Sequence, residues 1–203
     1  METIKIDGLN IAFERQGNGP PVILLHGALS DSRSWKRQLD GLSDEYTVIA
    51  WDAPGCGKSS DPPEDIGLSG YAESLNKFID ALDLKNPHIL GLSFGGGLAI
   101  EYYHLFPEVP KTLILASAYA GWAGSLPPDE VQKRIKMGLK QSEMDPEEVV
   151  KKWTPTLFPE NASAEVIEES AAIMSGFHPA GMRAMLNAFA EADLRKVLPL
   201  IKV

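Results

Sequence analysis

The first sixteen residues alternate apolar and polar positions, Ile4 and Ile6 against Ile11 and Phe13, on either side of Asp7-Gly8. A period of two is the strand signal, and Asp-Gly favours a two-residue turn, so the pattern predicts an antiparallel hairpin. The next apolar runs are unbroken: 22–25 leading into His26-Gly27, 46–51 into Asp52, 88–92 into Ser93, and 111–116. Segments apolar on both sides suit strands of a parallel sheet covered by helices on both faces. Helical spacing fills the gaps, most clearly over 71–82, where Leu75, Phe78, Ile79 and Leu82 share a face, and over 95–106. The alternation predicts an α/β domain with right-handed crossovers, mostly parallel and opened by the hairpin.

From about Gly121 the texture changes. Residues 127–140, 146–153, 164–175 and 179–191 read as four short amphipathic helices, opened by prolines or by Ser163 as an N-cap. A helical stretch inserted after a strand of a parallel sheet predicts a lid over the carboxyl edge, where ligands of such sheets bind. The expected organisation is an α/β core over 1–120, a four-helix lid over 121–196 and a return toward the core over 197–203.

Composition narrows the function classes. The chain has 203 residues, 44% of them hydrophobic, and a formal net charge of −9. Such a surface repels phosphate backbones and anionic lipid heads, so neither nucleic acid nor a membrane is an expected partner. Cys56 is the single cysteine and cannot form an intramolecular disulfide. With no signal-peptide pattern in METIKIDGLN and no apolar run of membrane-spanning length, a cytoplasmic location is expected.

Three motifs carry chemistry. Gly91-Leu-Ser-Phe-Gly95, after an apolar strand and before a helix, is a nucleophile elbow, with Ser93 the expected nucleophile. The flanking glycines, Gly91 and Gly95, are needed because a Cβ there would strike the neighbouring strand and helix. His26-Gly27-Ala28-Leu29 directly follows the strand 22–25, and a developing oxyanion needs two preorganised backbone N–H donors, expected from Ala28 and Phe94. His26 and Gly27 are read as shaping that loop, with His26 as packing rather than base. The third motif, Asp52-Ala-Pro-Gly-Cys-Gly-Lys-Ser59, ends like a phosphate-binding loop. Position 52 is Asp where that loop needs Gly, and Pro62-Pro63 blocks the helix that should follow, so nucleotide binding is rejected. The glycines there read as a tight turn and Cys56 as packing. No metal or cofactor is expected.

HGALSDSRSW, DAPGCGKSSDP and GLSFGG, in this order and spacing, resemble the α/β-hydrolase superfamily, with the tail similar to esterase-like and enol-lactonase-like members. The resemblance implies a serine hydrolase acting on a small-molecule carboxylic ester, lactone or thioester through an acyl-enzyme. It also implies a triad in the order nucleophile, acid, histidine, with the last two beyond the lid. His26, His88, His104 and His178 do not stand where that base belongs. The expectation is therefore an N-terminal piece that lacks the last strands, is inactive alone, leaves strand 111–116 as a bare apolar edge, and pairs with a missing C-terminal segment or second fragment. The apolar lid residues Trp122, Met137, Met144, Trp153, Phe158, Met174, Phe177, Met182, Met185 and Phe189 are mostly lid core, a minority lining an acyl pocket. Arg134, Arg183 or Arg195 could meet a second carboxylate on a substrate. Carbon-carbon bond hydrolysis and a non-catalytic ligand-binding role on the same fold are the alternatives.

Overall fold

A computed structural model describes residues 1–203. Six strands form one sheet in the order β1-β2-β4-β3-β5-β6: β1 (Glu2–Ile6), β2 (Leu9–Gln16), β3 (Pro21–Leu25), β4 (Thr47–Trp51), β5 (His88–Leu92) and β6 (Thr112–Ala116). The hairpin forms as predicted, with Asp7 and Gly8 both at positive φ, 50° and 87°, as its two-residue turn requires. β2 joins β4 antiparallel, and β4, β3, β5 and β6 run parallel.

Central β3 is buried on both faces. Ile23 and Leu25 face a large core with Ile49, Trp51, Phe78 and Leu98, closed by α2 (Gly67–Ala81) and α3 (Phe94–Leu105). Val22 and Leu24 face a smaller core with Trp35, Leu39 and Val48 under α1 (Lys36–Leu42). The sequence pattern did not predict α1. It has seven residues and buries only Leu39, too short for a 3.6-residue period to register.

The region after β6 is helical, as expected: α4 (Trp122–Ser125), α5 (Pro128–Ser142), α6 (Pro146–Leu157), α7 (Ala164–Met174) and α8 (Pro179–Glu191). The one-turn α4 is an addition to the four predicted helices. Pro opens α5, α6 and α8, and Ser163 caps α7 by accepting from the Val166 N–H. α8 joins this segment to the core. Its buried face, Ala184, Met185, Ala188 and Phe189, belongs to the large core, and its start touches the core backbone to backbone. A Cβ on Gly181 would fall 1.9 Å from the Gly55 carbonyl oxygen. After α8 the chain returns along α3, where the Tyr103 hydroxyl donates to the Leu200 carbonyl.

β6 pairs on one side only, with β5. Ile114 and Leu115, successive residues and so on opposite faces, are 49% and 39% exposed. Parallel strands of this kind are ordinarily covered on both faces, and an open apolar edge is a template for further pairing.

Two outcomes follow. Gly181→Ala forces a Cβ into the Gly55 backbone and should cost about 1–3 kcal/mol, read as a drop in thermal midpoint. Ile114→Lys should lower concentration-dependent self-association in light scattering while leaving the midpoint nearly unchanged, since an exposed side chain is replaced by a charged one.

Candidate active site

Ser93 occupies the turn between β5 and α3 with φ 53° and ψ −110°, a conformation rarely adopted by a residue with a side chain. Three backbone hydrogen bonds hold it: the Ser93 N–H donates to Ala116 O at 2.9 Å, and the Gly96 and Gly97 N–H groups donate to Ser93 O at 3.0 and 3.1 Å. The serine is partly exposed. The glycines around it are sterically required. A Cβ on Gly91 would lie 2.2 Å from Gly95 O, and one on Gly95 would lie 2.3 Å from Leu25 O.

The second loop lies alongside. A Cβ built on Gly27 would sit 3.5 Å from Ser93 Cβ, so residues 26–28 flank the serine. Ala28 is exposed on that loop, and Leu29 after it has φ 55°. Phe94 is the first residue of α3, where backbone N–H groups have no partner within the helix and the helix dipole is positive. The Phe94 ring turns inward, meeting Tyr71 edge-on at 5.4 Å and Phe189 at 5.6 Å. The structure thus gathers Ser93, Phe94, Gly91, Gly95, Gly27, Ala28 and His26 at the carboxyl ends of β3 and β5.

His26 is 1% exposed and fully engaged. Its Nε2 accepts from the Ala53 N–H at 3.0 Å, so the proton resides on Nδ1, which donates to the Gly27 carbonyl at 2.8 Å. Burial pushes its pKa down, opposed by the Gly27 hydrogen bond and the charges of Asp52 and Asp31. A neutral imidazole with both nitrogens committed is a loop brace. The other histidines stand elsewhere. His88 bonds Thr112 at the start of β5, His104 is exposed near the end of α3, and His178 bonds Asp61 and Gly57.

The loop 52–60 contains a residue whose role the sequence did not reveal. The buried Asp52 accepts from the Ser32 N–H at 2.7 Å through Oδ1 and from the Lys58 N–H at 2.8 Å through Oδ2. Its own carbonyl accepts from the Ser59 hydroxyl at 2.6 Å, and that oxygen accepts from the Ala12 N–H. A Cβ on Gly57 would strike Asp52 Oδ2 at 2.3 Å, so the glycine is there for the carboxylate. An Asp ending a strand before a Gly-rich loop was the available signal. Cys56 is buried, and burial pushes its thiol pKa well up, which leaves it a poor nucleophile.

One cavity, about 470 Å³, lies between the start of α2, Glu101 of α3 and the end of α8. None of the elbow residues lines it, so it does not mark the serine site. Of the apolar residues on the helical segment, Met174, Met185 and Phe189 are buried, whereas Met137 is 49% exposed. Arg134, Arg183 and Arg195 each pair with a carboxylate, Glu130, Glu64 and Asp193. No helix is long and apolar enough to cross a membrane, and no group of three or more His, Cys, Asp or Glu is arranged to hold a metal ion.

Comparison with known proteins agrees with this geometry. A family model described as the alpha/beta hydrolase fold matches residues 20–152. An uncharacterised protein of Mycobacterium tuberculosis is 35% identical over 113 residues, 56% of this chain but only 33% of that protein's length. A hydrolase from Pseudomonas aeruginosa superposes with a TM-score of 0.87 at 27% identity, over 99% of this chain and 76% of its own. A thermophilic esterase from Thermogutta terrifontis does so with a TM-score of 0.89 at 28% identity, over 98% and 75%.

His26→Gln should destabilise the fold by about 2–3 kcal/mol in urea unfolding, because one of two buried backbone groups loses its partner. The wild type carries a pH dependence that this variant lacks. With the folded-state pKa below 6.5, the unfolded chain binds the extra proton, so the imidazole's contribution is intact above 6.5 and lost as pH falls below it.

Proposed function

Because this chain belongs to the alpha/beta hydrolase fold family, we propose that it carries the nucleophile of a serine hydrolase acting on a small carboxylic ester, lactone or thioester. The observation that carries the reading is the strained backbone of Ser93 at a strand-to-helix turn, beside the loop 26–28. Other non-glycine residues also take positive φ, but Ser93 combines it with ψ −110°, partial exposure and flanking glycines that cannot carry a Cβ, which suits a nucleophile better than a scaffold.

In the proposed reaction Ser93 Oγ attacks the acyl carbon while a histidine takes its proton. The tetrahedral oxyanion is held by the N–H groups of Ala28 and Phe94, helped by the positive end of the α3 dipole. The alcohol or thiol leaves with that proton, and water repeats the sequence on the acyl-enzyme. The helical segment acts as a lid. Phe189, against Phe94 and over Gly97, and the partly buried Trp122 give it an apolar lining near the elbow. Substrates with a second carboxylate are disfavoured, since Arg134, Arg183 and Arg195 are already paired and the surface charge is −9.

The base and its orienting acid are proposed to come from polypeptide that adds to β6. Three facts support this. The outer edge of β6 is open, Ile114 and Leu115 are exposed at it, and the P. aeruginosa hydrolase and the T. terrifontis esterase each have about a quarter of their length outside the superposition. The partner is thus a segment with an apolar parallel strand.

An active-site-directed fluorophosphonate tests the reading. Supplied with such a segment, the protein should label at Ser93 and lose labelling in Ser93→Ala. The chain by itself should react slower by several powers of ten, as serine hydrolases stripped of their base do. A folded, complemented protein that binds ligand yet never labels would instead be a binding member of the fold.

A further inference from the structure

The contacts between the helical segment and the core include one histidine with an unusual pair of partners. His178 directly precedes Pro179, the first residue of α8, and its ring is 29% exposed. Nδ1 lies 2.7 Å from Asp61 Oδ1, and Nε2 lies 3.1 Å from the Gly57 carbonyl oxygen. A carboxylate and a carbonyl both accept and neither can donate. A neutral imidazole has one N–H and one lone pair, so one of these contacts would set lone pair against lone pair; only the imidazolium donates to both. We infer that His178 is a protonation-dependent latch, which as imidazolium fastens the segment 164–191 to the loop 57–61 and on losing its proton to water lets the segment lift.

The surroundings suit that role. Across the same junction Arg183 pairs with Glu64, Arg37 with Glu169, and Arg33, held by Asp31, donates to the Ile173 carbonyl. Arginine stays charged across physiological pH, whereas histidine is the residue type that switches there, so His178 is the junction contact suited to a switch. Asp61 bonds the ring; around the junction Lys58 follows Gly57, Asp52 and Asp31 lie against Gly57, Arg33 lies against Gly176, and Arg183 of the same helix pairs with Glu64 in the field of Glu143 and Asp61. Arg33 and Arg183 are each satisfied by their own carboxylate, which leaves Asp61 as the group bonded to the ring. The α8 dipole opposes a cation at this end, but a charge-assisted hydrogen bond of 2.7 Å outweighs it, so the latch depends on Asp61. The close Gly55–Gly181 approach lies one turn away, so releasing the ring frees the point where the segment touches the core backbone.

The latch stands whatever Ser93 does, and its test needs no substrate. Hydrogen exchange followed by mass spectrometry from about pH 5 to about pH 8, corrected for intrinsic rates, should show amides of 164–191 opening roughly fivefold more at the upper end. His178→Gln should abolish that change. Asp61→Asn, which keeps the shape, should shift it to lower pH. The sign separates it from His26, whose loss of stability comes at low pH and reaches the core strands. Ring ¹⁵N resonances of His178 should report both nitrogens protonated at the lower end. One protonated and one bare nitrogen throughout, or a pH response that survives in His178→Gln, would overturn the latch.

Discussion

The backbone of Ser93 is the constraint on which the rest of the site depends. Holding a serine at φ 53° and ψ −110° costs on the order of 1–3 kcal/mol, and it persists only because its surroundings over-determine it. They do so from three strands. β5 delivers the chain to the turn, β3 presents the Leu25 carbonyl so closely that position 95 must be glycine, and β6 accepts the Ser93 N–H through Ala116. The last contact has a consequence for the whole sheet. β6 is the open edge, so the strand that accepts the Ser93 N–H is paired on one side only. A strand added to β6, as proposed above, would stiffen the Ser93 turn.

A second brace runs through polar groups. A buried carboxyl is costly unless it is hydrogen-bonded, and Asp52 accepts from the backbone N–H groups of Ser32 and Lys58. Because Ser59 bonds both the Asp52 carbonyl and the Ala12 N–H, the same loop is tied to β2. The next residue, Ala53, donates to His26, which in turn holds the Gly27 carbonyl in the loop flanking Ser93. Through the chain and these hydrogen bonds, Asp52, Ala53, His26 and Gly27 link the hairpin to the loop that flanks Ser93. Their function is positional: each fixes the next without touching the reacting atoms.

Much of this was legible in the sequence, and the reasons are specific. The strands of the parallel sheet are apolar on both faces, so they stand out as unbroken runs, and Asp7-Gly8 marks the hairpin through the positive φ it accepts. Gly91 and Gly95 announce the elbow because only a missing Cβ fits there. What stayed hidden depended on distant partners. α1 is too short for periodicity, and its amphipathic face is one residue, Leu39. Asp52 looked like a turn residue because its role lies in backbone donors 20 and 6 residues away. The pairing of all three arginines of the helical segment could not be read either, since Arg183 finds Glu64 across 119 positions.

The histidines show why residue identity alone does not assign a base. An imidazole serving Ser93 in the proposed chemistry needs an acceptor on one nitrogen, to fix its tautomer, and the other nitrogen open toward the serine. His26 has a donor on Nε2 and an acceptor on Nδ1, so it is locked neutral with no open lone pair. His178 has a carboxylate partner, but its second nitrogen faces the Gly57 carbonyl and is not open toward Ser93. His88 spends Nδ1 on Thr112 at the opposite end of β5, and His104 is exposed near the far end of α3. Three imidazoles thus meet three different sets of partners and the fourth is exposed, and none combines an oriented ring with a nitrogen open to Ser93. In the proposed reaction the group that activates the Ser93 hydroxyl lies outside these contacts, and the open edge of β6 is where the sheet leaves room for it.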